Sequence, residues 1–353
     1  MDKKRIDVAC LPVAGIENPY QYLMIKGLNA SKKINAFNGV NDRFFGILKT
    51  WFRHRPDYIH FDWINSYYIR RSSWMTYILL PVFIIQVLYL RLFTKTKIVW
   101  TLHNLMPHNS TNLFVNKYLR RFFSKQCNWI RVFSESTVYD VSNLLRVSKH
   151  KIIVIPEGDY CSYYPNTVSR SEARRIFNFN QQDKVFLYLG FIKPYKGIER
   201  LISNFTKLKG ENLKLIIAGQ NKNKGYVNSL KEKISLSDSN RIIFKDNFIP
   251  DSELQNYYNA CDIVVLPFDK IDNSGSVILA MGFKKPIIAP YMGALIKRLQ
   301  CQENLLYKEN LYDKLNEIIA LSNKELIEIG IKNFNFLHNF DWKHFSTHFL
   351  KNN

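Results

Sequence analysis

The sequence predicts an α/β protein made of two doubly wound, parallel-sheet domains. Its 353 residues exceed what a single core usually organises. Short β-rich runs alternate with helical patterns, stop, and then start again. The stop is a polar, aperiodic stretch between Cys161 and Ser171, a natural interdomain linker. The expected domains are residues 1–165 and 166–332, with a helical segment, 333–353, packing back on the first.

In the first half, strands are expected at Ile6–Cys10, Tyr58–Phe61, Lys97–Leu102, Arg131–Ser134 and Lys151–Ile155, with a helical segment from Tyr20. Tyr77–Leu90 is apolar apart from Gln86 and closes at Arg91. It is shorter than the ~18 residues a membrane span needs and reads as a buried or interfacial helix. In the second half, five strands are expected: Val185–Gly190, Leu213–Ala218, Arg241–Lys245, Asp262–Pro267 and Pro286–Ala289. Helices at Ile198–Leu208, Gly225–Ile234, Asp251–Ala260 and Ser276–Phe283 link them. Asn333–Leu350 reads as one aromatic-rich helix. In open sheets of this kind ligands bind beyond the carboxyl ends of the strands, so two such domains are expected to face a central cleft.

Hydrophobic residues make up 46% and aromatics 14%, which excludes a disordered chain. With 50 Lys and Arg against 29 Asp and Glu, the formal charge is +21, which favours polyanionic partners: phospholipid surfaces, nucleic acid or pyrophosphate compounds. The five cysteines are scattered, without the close pairs of a disulfide framework or zinc site. With no export signal evident, a cytoplasmic location is expected.

Gly190-Phe-Ile-Lys193-Pro-Tyr-Lys196-Gly197 lies on a strand-to-helix turn. Free backbone amides, glycines at both ends and two ammonium groups suit a diphosphate there. The same letters also describe an ordinary βα loop with solvated lysines. Ser274-Gly275-Ser276 opens a helix, where orphan amides and the dipole favour an anion, although Ser274 also reads as a plain N-cap. His103 and Asn104 end a first-domain strand, a position that faces a ligand, while a lone histidine is also a common structural residue. Glu157, before Gly158, is a candidate of the same kind. Trp63 beside Asp62 reads either as a sugar-stacking ring or as a cap on the core. The turn Gly15-Ile-Glu-Asn18-Pro-Tyr20 lacks the full dinucleotide-binding glycine pattern, which argues against a dinucleotide cofactor in the first domain.

Taken together, Gly190–Gly197, Phe248-Ile-Pro through Glu253-Leu254, Asp262–Pro267, Ser274-Gly-Ser, Lys285–Pro290, His60-Phe-Asp-Trp63 and Trp100–His108 resemble the GT-B glycosyltransferases of the family 4 group, which build bacterial capsular and extracellular polysaccharide. The resemblance implies the GT-B architecture: two Rossmann-like domains, an N-terminal one for acceptor and a C-terminal one for nucleotide sugar. It implies transfer of a hexose-type sugar to a lipid-linked saccharide, with retention at the anomeric carbon. It implies His103 and Glu157 as catalytic candidates, and Gly190, Lys193, Lys196, Ser274, Gly275 and Ser276 as diphosphate ligands. Asn104, Gly219, Phe248 and Asp272 become candidates for donor sugar or base, and Gly15, Asn18, Tyr20, Asp62, Trp63 and His108 for acceptor. The group often carries a glutamate on the ribose hydroxyls, where this chain has Leu279 before Ala280-Met281.

No Asp-x-Asp metal motif stands in a fitting place, so neither metal nor cofactor is expected, the nucleotide sugar being a substrate. The expected partners are that donor, a saccharide or lipid-pyrophosphate acceptor and an anionic membrane surface, to which the protein associates peripherally. Nucleic acid is not expected, because no recognition-helix, zinc or RNA-binding signature accompanies the charge. A sugar-nucleotide epimerase on the same fold and a non-catalytic GT-B-like subunit stand as alternatives. Incubation with donor alone separates the epimerase, which needs no acceptor.

Overall fold

A computed structural model of the chain describes residues 5–15, 19–70, 73–105, 113–221, 223–236, 240–270 and 274–351. The chain divides into two compact units, residues 1–158 with 340–353, and residues 159–339.

The first unit runs β1 (Ile6–Leu11), α1 (Pro19–Asn29), β2 (Ile34–Asn38), α2 (Gly46–His54), β3 (Tyr58–Phe61), α3 (Ser73–Phe93), β4 (Lys97–Thr101), α4 (Leu113–Gln126), β5 (Trp129–Val132), α5 (Val138–Leu145) and β6 (Ile152–Val154). All its strand pairs are parallel, in the order β2-β1-β3-β4-β5-β6. β3, β4 and β5 are apolar or buried at nearly every position, as expected of a sheet covered on both faces. One face carries α3, α4 and α5, whose Phe83, Val87, Phe123 and Leu145 interdigitate with Ile59, Phe61, Ile98 and Trp100.

In the second unit follow α6 (Arg170–Ile176), β7 (Lys184–Leu189), α7 (Ile198–Phe205), β8 (Leu213–Ala218), α8 (Lys224–Ser235), β9 (Ile242–Lys245), α9 (Leu254–Ala260), β10 (Ile263–Val265), α10 (Gly275–Gly282), β11 (Ile287–Pro290), α11 (Gly293–Arg298), β12 (Leu306–Tyr307), α12 (Leu311–Ile319) and α13 (Asn323–Leu337). The order is β12-β11-β10-β7-β8-β9, all parallel. Strand order therefore reverses between β7 and β10, the switch point at which open α/β sheets take ligands. Capping boxes at Ser169/Glu172 and Ser322/Glu325 start α6 and α13. Asp262 locks the foot of β10 by accepting from the buried Arg174 at 2.7 Å and from the Val185 amide at 2.8 Å.

Three expectations need correction. Each sheet has a sixth strand beyond the five expected: β2 in the first, with two asparagines in five residues, and β12 in the second, whose two residues are too few to leave a pattern. The segment expected as one helix from Asn333 to Leu350 breaks at 338–342, where Asp341 Oδ1 accepts from the Lys343 amide, and restarts as α14 (Lys343–Lys351). α14 packs on α1 in the first unit. Its Phe349 meets Tyr58 edge-on at 4.6 Å. The apolar helix is 21 residues long, not the fourteen or so read between Tyr77 and Leu90; its stretch Trp74–Phe93 has the length and composition of a membrane span.

Candidate functional site

At the carboxyl edge of the first sheet the reversal falls between β1 and β3, and the expected residues gather beside it. Asp62 directly follows β3; its amide donates to Leu11 O at 2.8 Å. Its buried carboxylate accepts from His103 Nε2 at 2.9 Å and from Gln21 Nε2 at 3.3 Å, with His60 Nδ1 at 3.8 Å. Burial opposes its ionisation, but the nearby His60 and the bonds from His103 and Gln21 outweigh that, and its pKa falls below the ordinary value. His60 is fully enclosed, and desolvation lowers its pKa to about 4 against the pull of Asp62, so it is neutral at pH 7. Its Nε2 meets Thr101 Oγ1 at 2.7 Å. Its Nδ1 faces Asp62 beyond hydrogen-bond distance and is buried without a hydrogen-bond partner.

His103 keeps 14% of its side chain exposed. It stacks on the half-buried Trp63 at 4.6 Å, with Tyr20 edge-on at 4.8 Å. With Nε2–H given to Asp62, Nδ1 of the neutral imidazole is an acceptor. Tyr20 is less an open acceptor contact than a buried wall: its hydroxyl accepts from Arg131 Nη1 at 2.8 Å, and its ring meets Trp342 at 5.3 Å. Glu157 is buried on the segment after β6. Gly158 passes so close to Trp342 that an added Cβ would lie 2.5 Å from the ring. Gly15 is exposed with open space around it. The Asn104 carbonyl accepts from Arg120 Nη1 at 2.8 Å. Asn18 and His108 lie outside the described residues.

Sequence reading missed two organising residues here. Arg131, fully buried on β5, donates to the carbonyls of Ile155 and Pro156, each at 2.9 Å, as well as to Tyr20, and so fixes the segment leading to Glu157. Gln21 accepts from the Ala14 amide at 2.7 Å and donates to Pro12 O at 2.9 Å, tying the β1–α1 loop to Asp62. An arginine inside an apolar strand was the available signal for the first.

In the second unit the two anion-competent turns meet at the β7/β10 switch point. Gly190 has φ +152°, and a Cβ on it would lie 3.2 Å from Ser276 Oγ. Gly219, after β8, has φ +146° and closes on the Gly190 carbonyl, leaving no room for a Cβ. Gly197 (φ +69°) closes equally on the Pro267 carbonyl beyond β10. These glycines let three loops touch backbone to backbone. Lys193 and Lys196 are half-buried, and no described carboxylate is paired with either. Lys196 Nζ sits 4.3 Å over the Phe268 ring; desolvation, with the charge of Lys193 beside it, lowers its pKa to about 8.

Ser274 is the N-cap of α10, yet its hydroxyl makes no capping bond, and the buried Oγ has no partner. The plain N-cap reading therefore fails. Asn221 Nδ2, after β8, and Tyr226 Oη, opening α8, are likewise buried without partners. Unmet polar atoms at the rim where a sheet takes its ligand are groups a polar ligand would satisfy. A Cβ added at Gly275 would meet nothing nearer than the Tyr160 ring at 3.5 Å, so no close approach requires a glycine there. Phe248, after β9, is 49% exposed. Leu279 is half-buried on α10. Asp272 lies outside the described residues. Among the described residues no cluster of three or more His, Cys, Asp or Glu side chains is placed to hold a metal ion.

Residues 169–326, almost all of the second unit, match the family described as glycosyl transferases group 1. The second unit is a group 1 glycosyltransferase domain. The switch-point loops of this group 1 domain are the ones just described. Over 258 residues the chain is 26% identical to a GDP-mannose:glycolipid 4-beta-D-mannosyltransferase of Xanthomonas campestris pv. campestris, covering 72% of this chain and 66% of that one. The match thus spans just under two thirds of the relative's length. Mannosylfructose-phosphate synthase of Agrobacterium fabrum is 26% identical over 170 residues, 46% of this chain and 37% of that one. Among solved structures, Anabaena HepE in complex with UDP and glucose superposes with a TM-score of 0.75 at 17% identity, covering 98% of this chain and 99% of the other. Sucrose-phosphate synthase from Thermosynechococcus elongatus gives 0.72 at 17% identity, over 98% of each chain. Both sheets of the chain therefore follow the GT-B fold that its motifs predicted.

Proposed function

We propose that the protein transfers a hexose-type sugar from a nucleotide sugar to a lipid-linked saccharide during polysaccharide assembly, as a member of the family 4 group. The observation that carries this reading is the meeting of Gly190 with Ser276 at the β7/β10 switch point, between two lysines without a carboxylate partner among the described residues and the unsatisfied Ser274 hydroxyl. A leaving nucleoside diphosphate gains charge on its β-phosphate, and donors fixed around that position stabilise the transition state more than the ground state. UDP in the HepE structure supports a nucleotide donor, and the glycolipid in the Xanthomonas enzyme's name supports a lipid acceptor.

In this reading the first unit takes the acceptor. Trp63 and His103 offer it a stacked aromatic surface, and His103 Nδ1 accepts a hydrogen bond from a sugar hydroxyl. Asp62 holds that imidazole in the required tautomer, as a positioning residue. Residues of the chain supply all of the binding chemistry described, and no metal or cofactor is invoked. Retention at the anomeric carbon is the finer part of the proposal.

The test is release of nucleoside diphosphate and transfer of labelled sugar into a lipid extract, with UDP-, GDP-, CDP- and dTDP-sugars offered separately. One donor supports transfer, and Lys193→Ala with Lys196→Ala lowers the rate by about 10²–10³-fold. Donor turnover without acceptor, giving an altered sugar still on its nucleotide, supports an epimerase instead. The anomeric coupling constant of the product decides retention, and an inverted product removes that part alone.

A further inference from the structure

Helix α3 joins the adjacent strands β3 and β4, and its two faces differ in an unusual way. The inner stripe, Leu79, Phe83, Gln86, Val87 and Leu90, is buried in the first unit's core. Gln86 anchors it, donating to Phe44 O at 2.8 Å and accepting from the Leu48 amide at 3.3 Å. The outer stripe follows at helical spacing: Trp74, Tyr77, Ile78, Pro81, Ile85 and Leu92, all exposed. A surface helix normally turns polar and charged residues outward. Here Trp74, Ile85 and Leu92 are 64%, 63% and 70% exposed, and the first charge on the helix is Arg91.

The neighbours of α3 continue the same surface. α2 and α4 each pack against it. They contribute exposed Phe52, Phe114 and Tyr118, with exposed Arg53, Arg55, Lys117 and Lys125 among them. Between Asp62 and Glu135 the sequence contains no Asp or Glu at all, while its lysines and arginines recur throughout. An aromatic and aliphatic stripe with exposed cations on the neighbouring helices matches the interface of an anionic bilayer, where tryptophan rings settle at headgroup level and basic residues meet phosphate.

We propose that α3 is a membrane-docking helix, lying along an anionic lipid surface with its outer stripe in the acyl boundary and the flanking basic residues at the headgroups. Although Trp74–Phe93 is long and apolar enough to span, with mean hydropathy 1.9, both ends of α3 feed neighbouring strands of one sheet. Crossing a bilayer would strip Phe83, Val87 and Leu90 from the core. The helix therefore lies on the membrane and does not cross it. This deepens the reading of a lipid-linked acceptor, but its test involves no sugar chemistry.

The experiment is flotation of the full chain with vesicles of phosphatidylcholine alone, and of equal parts phosphatidylcholine and phosphatidylglycerol, at low and high salt. Wild type floats with the anionic vesicles, less so as salt rises. The triple variant Trp74→Gln, Ile85→Gln, Leu92→Gln alters exposed positions only; it keeps its melting temperature and partitions about a hundredfold less or worse. Lys117→Gln and Lys125→Gln each lower partitioning about fivefold. Should the triple variant fail to fold, Trp74→Phe gives an independent readout. It still floats but loses the vesicle-induced blue shift of tryptophan emission seen in wild type. The proposal is overturned if wild type does not float at low salt, or if the folded triple variant floats equally well. It is also overturned if wild type is a lipid-indifferent dimer that the triple variant splits. Sugar transfer to a detergent-dispersed acceptor without vesicle binding would leave the transferase reading standing and remove this one.

Discussion

Two residues of the second unit tie structure to chemistry most directly. The Lys196 ammonium, partly desolvated and beside Lys193, titrates at about 8, below the ordinary lysine value. A bound diphosphate favours its charged form, so donor affinity is present below that pH and declines as pH rises through it. Titration calorimetry across that range is expected to show the decline in wild type and a flatter profile in Lys196→Arg, whose guanidinium stays charged. Ser274 supplies a complementary case. Because its hydroxyl bonds to nothing in the protein, Ser274→Ala is expected to change the melting temperature little while weakening nucleotide binding roughly tenfold, the contribution of one hydrogen bond to a charged group. A large loss of stability with unchanged affinity would mark the serine as structural. In the first unit, His103 and Asp62 were both legible as candidates from their places at strand ends. Their 2.9 Å bond was not, because it depends on the register that sets Phe61 beside Trp100.

Among the elements, those buried on both faces were the readable ones. Ile263–Val265 and Leu215–Ala218 are continuous apolar runs, and their sequence leaves little alternative. β2, with its outer positions half exposed and two asparagines in five residues, carries no such signal, and the two-residue β12 carries none. α3 was read short because apolarity alone was followed; Ser73–Thr76 and Arg91–Phe93 continue the helix without continuing the run. The glycines in the β7–α7 turn are the most exacting element-scale feature. At Gly197 an added Cβ would lie 1.8 Å from the Pro267 carbonyl, on a backbone already at φ +69°. Gly197→Ala is expected to destabilise the protein by about 2 kcal/mol or more and to abolish donor binding by forcing the β7 and β10 loops apart. Denaturant melts and calorimetry check both, and a variant with wild-type stability would refute the close approach.

On the scale of the whole chain, the two sheets use the same edge for different chemistry. The switch point of the first is filled by Tyr20, Trp63, His103 and Trp342 around a buried carboxylate, a surface suited to a neutral sugar. That of the second is built from glycine turns, two lysines and unmet polar atoms, a surface suited to a phosphate ester. The same contrast of residue types is legible in the sequence, in the missing dinucleotide glycine pattern of the first half and the Gly190–Gly197 and Ser274–Ser276 turns of the second. The unmet atoms of Asn221 and Tyr226 could not be foretold, since burial without a partner is a property of packing. The central claim is that the second unit holds a nucleoside diphosphate between these loops, and a thermal-shift panel of UDP, GDP, CDP and dTDP on wild type and the Lys193→Ala, Lys196→Ala variant tests it most directly. A ligand that binds only the native state raises its melting temperature by mass action. One diphosphate is expected to raise the melting temperature of wild type and leave the variant unmoved, whereas an equal shift in both proteins, or none in either, would contradict the account.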